Sequence, residues 1–184
     1  MSGGAARYLL LAWIIGGCRQ APSDGPAEGH LDVGWEGRDP GRISGSAAAG
    51  WCALRRVLEI HTVQGDTGIA LALYPGKSLV PGVYRVMDPV KAESVPPAAA
   101  IAVRWLGKTV IQGFQGHSGR VDLERSSSGL LSGRVSARAR SVVDTQRIVL
   151  TGTFRGVLVR PDSLGCQPPE PPDDDADPDD TGVH

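Results

Sequence analysis

The sequence predicts an all-β fold. Between Gly41 and Cys166, short runs rich in Val, Ile, Leu and Thr alternate with clusters of Gly, Pro, Asp and Ser about every ten residues, which is typical of antiparallel β-proteins. Helical patterns are nearly absent, and one turn of helix is predicted at 90–94 before Pro96 and Pro97. These roughly 126 residues suffice for one domain with a buried core. We therefore predict a single antiparallel β-barrel or β-sandwich of about eight to nine strands.

The alternation predicts strands in chain order over 42–51, 55–63, 68–74, 82–87, 99–106, 110–115, 119–125, 131–140 and 147–160. The last two strands have the clearest pattern, because small and apolar residues alternate with polar ones, and 141–146 joins them as a hairpin. Their predicted inner residues are Leu131, Gly133, Val135, Ala137, Ala139, Ile148, Leu150, Gly152, Phe154 and Leu158. The small residues among them favour close packing, as in a barrel or a tight sandwich.

Residues 1–17 predict a signal peptide, because Arg7 precedes the short apolar run YLLLAWII. This run is far below the ~20 residues of a transmembrane helix. The sequence IGGC, which ends at Cys18, resembles the lipobox of bacterial lipoproteins. The resemblance implies that Cys18 carries lipid, begins the mature chain and anchors it in a bacterial cell envelope. Arg19 stands where an aspartate retains some lipoproteins in the inner membrane, which favours the outer membrane. The segment 18–40 is predicted to be this lipidated cysteine and a flexible linker.

The two other cysteines are Cys52 and Cys166. Export exposes them to an oxidising compartment, which favours a disulfide between them. Such a bond closes a loop of over a hundred residues and contributes roughly 4 to 5 kcal/mol in the chain-entropy model. Two buried free thiols are the alternative. The sequence has no CxxC motif and no Cys/His cluster, so we predict no metal site.

The charges are distributed unevenly. The chain carries 19 Lys and Arg and 20 Asp and Glu. The segment 167–184 contains no Lys or Arg, and its Pro- and Asp-rich composition predicts a disordered acidic tail. Asp175, Asp177 and Asp179 alternate as at the start of a calcium loop, but Asp180 replaces the required glycine. No folded calcium site is therefore predicted.

Arginines are predicted to gather on the outer face of the last hairpin. They are Arg134, Arg138, Arg140 and Arg155. Because Arg binds phosphate well, they suggest an anion-facing patch for phosphate-rich envelope molecules. The alternative is a solvated face whose charges discourage edge-to-edge aggregation. Nucleic-acid binding is not predicted, because no aromatic platform lies between the arginines.

Two motifs resemble catalytic ones. Asp66 begins an Asp-Thr-Gly triplet like that of aspartic proteases, which need two such carboxylates; GDTG also predicts a hairpin turn. The sequence GHSG around Ser118 is similar to a hydrolase nucleophile elbow, but its second glycine comes one residue early and the elbow needs a following helix, so a Gly-rich turn is predicted. His61 is interpreted as a partly exposed neighbour of Glu59. No catalytic residue or cofactor is assigned.

The segments LVPGVYRV, GRVDLE, LSGRVSARA and IVLTGTF resemble a β-rich domain of unknown function found in bacterial surface lipoproteins. The resemblance covers residues 80–159 and implies no activity. We predict a non-catalytic structural or binding module of the cell envelope. The alternatives are an exported hydrolase and a carrier of a small apolar ligand. The pocket for such a ligand would be lined by five aromatic residues, Trp35, Trp51, Tyr74, Trp105 and Phe114.

Overall fold

The computed structural model describes residues 29–107, 110–161 and 166. These residues form a closed nine-strand β-barrel with one short additional strand and one short helix. The elements in chain order are β1 Gly29–Glu36, β2 Gly41–Cys52, β3 Val57–Gln64, β4 Thr67–Tyr74, β5 Gly82–Val86, α1 Pro89–Ser94, β6 Ala98–Leu106, β7 Ile111–Arg125, β8 Leu131–Ser141, β9 Arg147–Val157 and β10 Val159–Pro161. The predicted all-β class is confirmed, and the architecture is the barrel rather than the sandwich.

Around the barrel the strands follow the order β1–β9–β8–β7–β5–β6–β4–β3–β2, and pairing of β2 with β1 closes the sheet. The strand β5 is short, so β6 and β7 pair directly beyond its end. All neighbours are antiparallel except β5 with β6, and β10 with the end of β2. A parallel pair needs a crossover connection, and α1 lies within the one that joins β5 to β6.

The strand β1 lies within the segment predicted as a flexible linker, and that prediction is wrong for residues 29–36. The strand pairs with β2 on one side and β9 on the other. Leu31, Val33 and Trp35 point into the core, while His30 is exposed. Burial of three large apolar side chains stabilises the ordered strand. Residues 18–28 of the predicted linker, the predicted signal peptide with Cys18, and the predicted tail lie outside the described residues.

Two strand boundaries also differ from the prediction. The predicted strands 110–115 and 119–125 form the single strand β7, with a bulge between Gly116 and Ser118. The last predicted strand divides into β9 and β10. Gly156 has a φ of 65°, which interrupts the extended backbone and turns Val157 into the core. Leu158 is therefore 45% exposed, and its predicted inner position is wrong.

The barrel interior is filled by side chains. Trp105 stacks on Trp35 and on Phe114, with ring centroids 4.9 Å and 5.0 Å apart. Tyr74 lies on the outer side of β4, in a small cluster covered by Ala92 of α1. Trp51 is half-buried and packs against the core. The aromatic residues predicted as lining for a ligand are thus packed against one another or against the core, apart from Tyr74. The interior provides a packed core.

The predicted cysteine pair is confirmed. Cys52 and Cys166 lie at disulfide-bonding distance, with their Cα atoms 5.2 Å apart. Cys52 is buried at the end of β2, beside Val57 and Tyr74. The bond fastens the chain beyond β10 to the strand with which β10 pairs. In the part of the chain that the structure describes, no helix is long and apolar enough to cross a membrane.

Candidate functional site: an arginine-rich wall of the barrel

The two catalytic-like motifs lie in different structural settings. Asp66 is an exposed residue of the two-residue turn between β3 and β4, where Gly65 adopts a φ of 57°. This is the predicted hairpin turn, in which the positive φ requires glycine. Ser118 lies inside β7 at a bulge, so the predicted Gly-rich turn is wrong. A nucleophile elbow needs a helix after the serine, whereas here the strand continues to Arg125.

His61 is exposed on the outer face of β3, beside the half-buried Glu59, as interpreted from the sequence. The resolved contacts of this region show no hydrogen bond from His61 to a carboxylate. Among residues 29–107, 110–161 and 166, no three His, Cys, Asp or Glu side chains lie close enough together to hold a metal ion.

The outer face of β5, β7, β8 and β9 carries a row of exposed arginines, and we call it the arginine wall. It contains two carboxylates, Asp122 and Glu124, and no lysine. The inward residues of the same strands are small or apolar. The exposed arginines of the wall are Arg85, Arg120, Arg134, Arg138, Arg140, Arg147 and Arg155.

The strand register places like charges directly opposite one another. Arg85 of β5 is the partner of Arg120 of β7, and Arg140 of β8 is the partner of Arg147 of β9. Neighbouring strands lie about 4.8 Å apart. Like charges in directly opposed positions destabilise a sheet. A contribution to folding stability therefore does not explain why these two pairs of arginines are present.

Few of these arginines are neutralised within the described part of the chain. Arg120 Nε lies 3.4 Å from Asp122, and Arg140 Nη2 lies 3.2 Å from Asp88. The other arginines of the wall have no carboxylate within 4.0 Å among the described residues; they are Arg85, Arg134, Arg138, Arg147 and Arg155. Asp122 stands opposite Arg134 in the strand register but outside this distance. The wall thus presents several guanidinium groups without a close carboxylate.

The neighbouring carboxylate on β1 is already engaged. Arg42 Nε donates a hydrogen bond of 2.7 Å to Asp32 Oδ1, and the second guanidinium nitrogen contacts Oδ2. The hydrogen bond from Arg42 holds the pKa of Asp32 below its usual value. Asp32 faces Thr153 of β9 in the register. It is therefore ionised and paired with Arg42 at the margin of the wall, and the charge of Arg155 on β9 also lowers its pKa.

The structure places the four predicted arginines on one outer face, with Arg134, Arg138 and Arg140 along β8 and Arg155 on β9. Three further arginines of the wall were not predicted, namely Arg85, Arg120 and Arg147. The alternation within β7 and β9 was sufficient to place Arg120 and Arg147 outward. Arg85 depended on the pairing of β5 with β7, which no local pattern indicates.

Comparisons of the chain with family models, with curated proteins and with solved structures find no match. The membership of residues 80–159 in a lipoprotein domain family stays a prediction, and so does the lipobox that ends at Cys18. The geometry and charge of the outer face are therefore the basis for assigning a function.

Proposed function

We propose that this protein is a lipid-anchored, non-catalytic binding module of the bacterial cell envelope, and that its arginine wall binds a phosphate-rich acidic polymer. The observation that carries the proposal is the placement of like-charged arginine pairs on strands that are bonded on both sides. Protection of a sheet edge, the alternative for these charges, applies to unpaired strands. The strands β7, β8 and β9 have no free edge here.

The chemistry of the wall favours phosphate. The planar guanidinium of Arg donates two parallel hydrogen bonds to one phosphate, which the ammonium of Lys does not. Hydroxyl groups that can donate further hydrogen bonds lie between the arginines, on Ser132, Ser136, Thr151 and Thr153. The outward positions of these four strands contain no Phe, Tyr or Trp, so stacking of nucleic-acid bases has no platform. A flexible polymer also follows the convex wall better than a flat bilayer does.

The alternative functions have less support. A carrier of an apolar ligand needs an open interior, but Trp35, Trp105 and Phe114 occupy the core. A hydrolase needs its nucleophile beside a base, but Asp66 lies in an exposed turn and Ser118 lies within a strand. Binding on the outer surface fits a filled barrel.

The wall is tested by binding of fluorescently labelled polyphosphate at physiological salt. Replacing Arg134, Arg138 and Arg155 by Gln is expected to weaken binding about 10- to 100-fold, because each guanidinium–phosphate contact contributes about 0.5 to 1 kcal/mol at an exposed site. Fluorescence anisotropy measures the dissociation constant. Circular dichroism checks that the variant keeps its strands.

A matched control variant loses the same charge elsewhere, through R56Q, K77Q and R104Q. These side chains lie outside the wall, and salt screens charges beyond about 8 Å. The control is expected to bind within about twofold of the natural protein. An equal loss in both variants would show that binding follows net charge alone and would refute the assignment of the wall.

The anchor is tested separately by mass spectrometry of the mature protein from its native membrane. We expect a chain that begins at Cys18 and carries a diacylglycerol, with further acylation of its new amino terminus. Two or more chains hold a protein on a bilayer, because each buried methylene contributes about 0.8 kcal/mol. The lipid mass and membrane retention should vanish in Cys18→Ser. A mature chain with an unmodified Cys18 thiol would contradict lipid anchoring and leave the wall untouched.

A further inference from the structure

A groove beside the arginine wall has the composition of a small-anion site. It runs between β7 and the segment that connects β5 to α1, and we call it the bulge groove. Its volume is about 720 Å³, within the range of pockets that bind small molecules. The polar residues along it are Arg85, Asp88, Lys91, His117, Ser118 and Arg140.

The barrel topology creates this groove. The strand β7 pairs with β6 through Gln115 and with β5 from Arg120 onward. Residues 116–119 therefore have no strand partner on that side in the described pairing. At this point β7 changes its neighbour from β6 to β5. Residues at the start of α1 line the groove beside it. The groove is a consequence of one long strand that changes neighbours.

A bulge in β7 shapes the floor of the groove. Gly116 pairs with Ala139 and Ser118 with Arg138, so His117 is an extra residue without a partner on β8. Such bulges bend a strand and redirect a side chain, and they are over-represented beside functional sites. Gly119 follows with a φ of 132°, and a Cβ there would overlap the carbonyl oxygen of Ser136. Glycine is therefore required to maintain this local geometry.

A single carboxylate fixes two sides of the groove. Asp88 Oδ1 accepts a hydrogen bond of 3.3 Å from the backbone N–H of Val90, at the beginning of α1. Asp88 Oδ2 accepts one of 3.2 Å from Arg140 Nη2 on β8. Both oxygens are thus occupied. Asp88 orients Arg140 without neutralising Arg85 or Lys91.

The charges of the groove match a divalent anion. Arg85 and Lys91 have no carboxylate within 4.0 Å among the described residues, and Asp88 balances Arg140. Two positive charges therefore remain uncompensated, with the imidazole of His117 and the hydroxyl of Ser118 beside them. A phosphate monoester carries about −1.5 to −2 charges at pH 7 and offers three acceptor oxygens. The groove is also larger than a single phosphate requires, which leaves room for the group that carries it.

We propose that the bulge groove binds a phosphate monoester on a sugar- or glycerol-sized group, with Arg85 and Lys91 as its principal cationic contacts. This site shares Arg85 and Arg140 with the arginine wall, but it takes a small monoester rather than a polymer and depends neither on polymer binding nor on the lipid anchor. The same chemistry occurs in soluble sugar phosphates and in the headgroup of phosphatidic acid. Both sources are therefore tested.

The full chain is titrated with glucose 6-phosphate while its backbone amide signals are followed by NMR. We expect saturable shifts of the amides of His117, Ser118 and Gly119, and no response to glucose. The variant R85Q/K91Q should weaken binding at least about tenfold, because two charge-assisted contacts are lost. The control K77Q/R104Q removes the same charge away from the groove and should leave the affinity within about twofold.

Flotation with phosphatidylcholine vesicles that contain phosphatidic acid, compared with phosphatidylcholine alone, tests the lipid source. Binding of either phosphate source that is lost in R85Q/K91Q and kept in K77Q/R104Q supports the groove. Binding of neither source, or equal loss in both variants, overturns it. The wall variant R134Q/R138Q/R155Q should keep glucose 6-phosphate binding, so failure of the wall and failure of the groove are distinguishable.

Discussion

Replacing Phe154 by Ala is expected to lower the free energy of unfolding by about 3 to 5 kcal/mol. Phe154 lies on β9 and is fully buried in the barrel. Its ring packs over Gly133 of β8, where a Cβ would overlap the ring atom Cζ. The absence of a side chain on β8 is what gives the ring its space. Removing the ring leaves a cavity that the rigid sheet cannot close, so the loss includes both transfer and cavity contributions.

Urea unfolding followed by tryptophan fluorescence measures this loss. Phe154→Leu fills part of the space and should cost clearly less than the Ala variant. The matched control is Val149→Ala on the same strand, whose side chain is 43% exposed and whose loss should cost less than about 1 kcal/mol. A Phe154→Ala protein as stable as the control would contradict the packing of β9 against β8.

The hairpin of β8 and β9 shows how much of this fold local patterns predict. Leu131, Val135 and Ala139 alternate with polar residues over a full strand, and each is buried as expected. The alternation requires one buried face, so it determines which residues form the core. It fails at Leu158 because the positive φ of Gly156 changes the phase. Phase changes of this kind depend on backbone conformation that composition does not reveal.

Local sequence patterns could not predict that the sheet closes into a barrel. The pairing of β1 with β2 and β9 closes the sheet, and β9 is more than a hundred residues away in sequence. Taken alone, the alternation of Leu31, Val33 and Trp35 was short and followed a polar segment that resembled a linker. The contacts that order it are distant in sequence. The choice between barrel and sandwich therefore required the three-dimensional pairing.

The features of the candidate sites also differ in whether the sequence predicts them. Strand alternation was enough to place Arg134 and Arg138 outward, because both lie at even spacing on β8. The uncompensated charge of Arg85 depends on its neighbours on β7, and the bulge groove depends on α1 and the residue left unpaired at His117. These features arise where separate elements meet. The sequence identifies these residues, but it does not show that they lie close together in the folded protein.

Loss of the disulfide should destabilise the barrel by about 2 to 5 kcal/mol. Cys52 and Cys166 are 114 residues apart, and a bond that closes so long a loop restricts the unfolded chain strongly. The variant for this test is Cys166→Ser, since position 166 is half-buried whereas Cys52 is 3% exposed. A serine at position 52 would add the cost of burying a hydroxyl group. Urea unfolding of the oxidised protein and the variant measures the difference, and equal midpoints and slopes would contradict the stabilising bond.

Hydrogen exchange distinguishes a general loss from a local one. The strand β10 has three residues and pairs only with the end of β2, through Val159 to Ala49 and Pro161 to Trp51. A pairing this short is marginal by itself, and the disulfide anchors the chain just beyond it. In Cys166→Ser we therefore expect the amides of Val159 and Arg160 to exchange faster than the global change in stability explains. Amides in β8, which is bonded on both sides, should lose protection only by the global amount, because they exchange through complete unfolding.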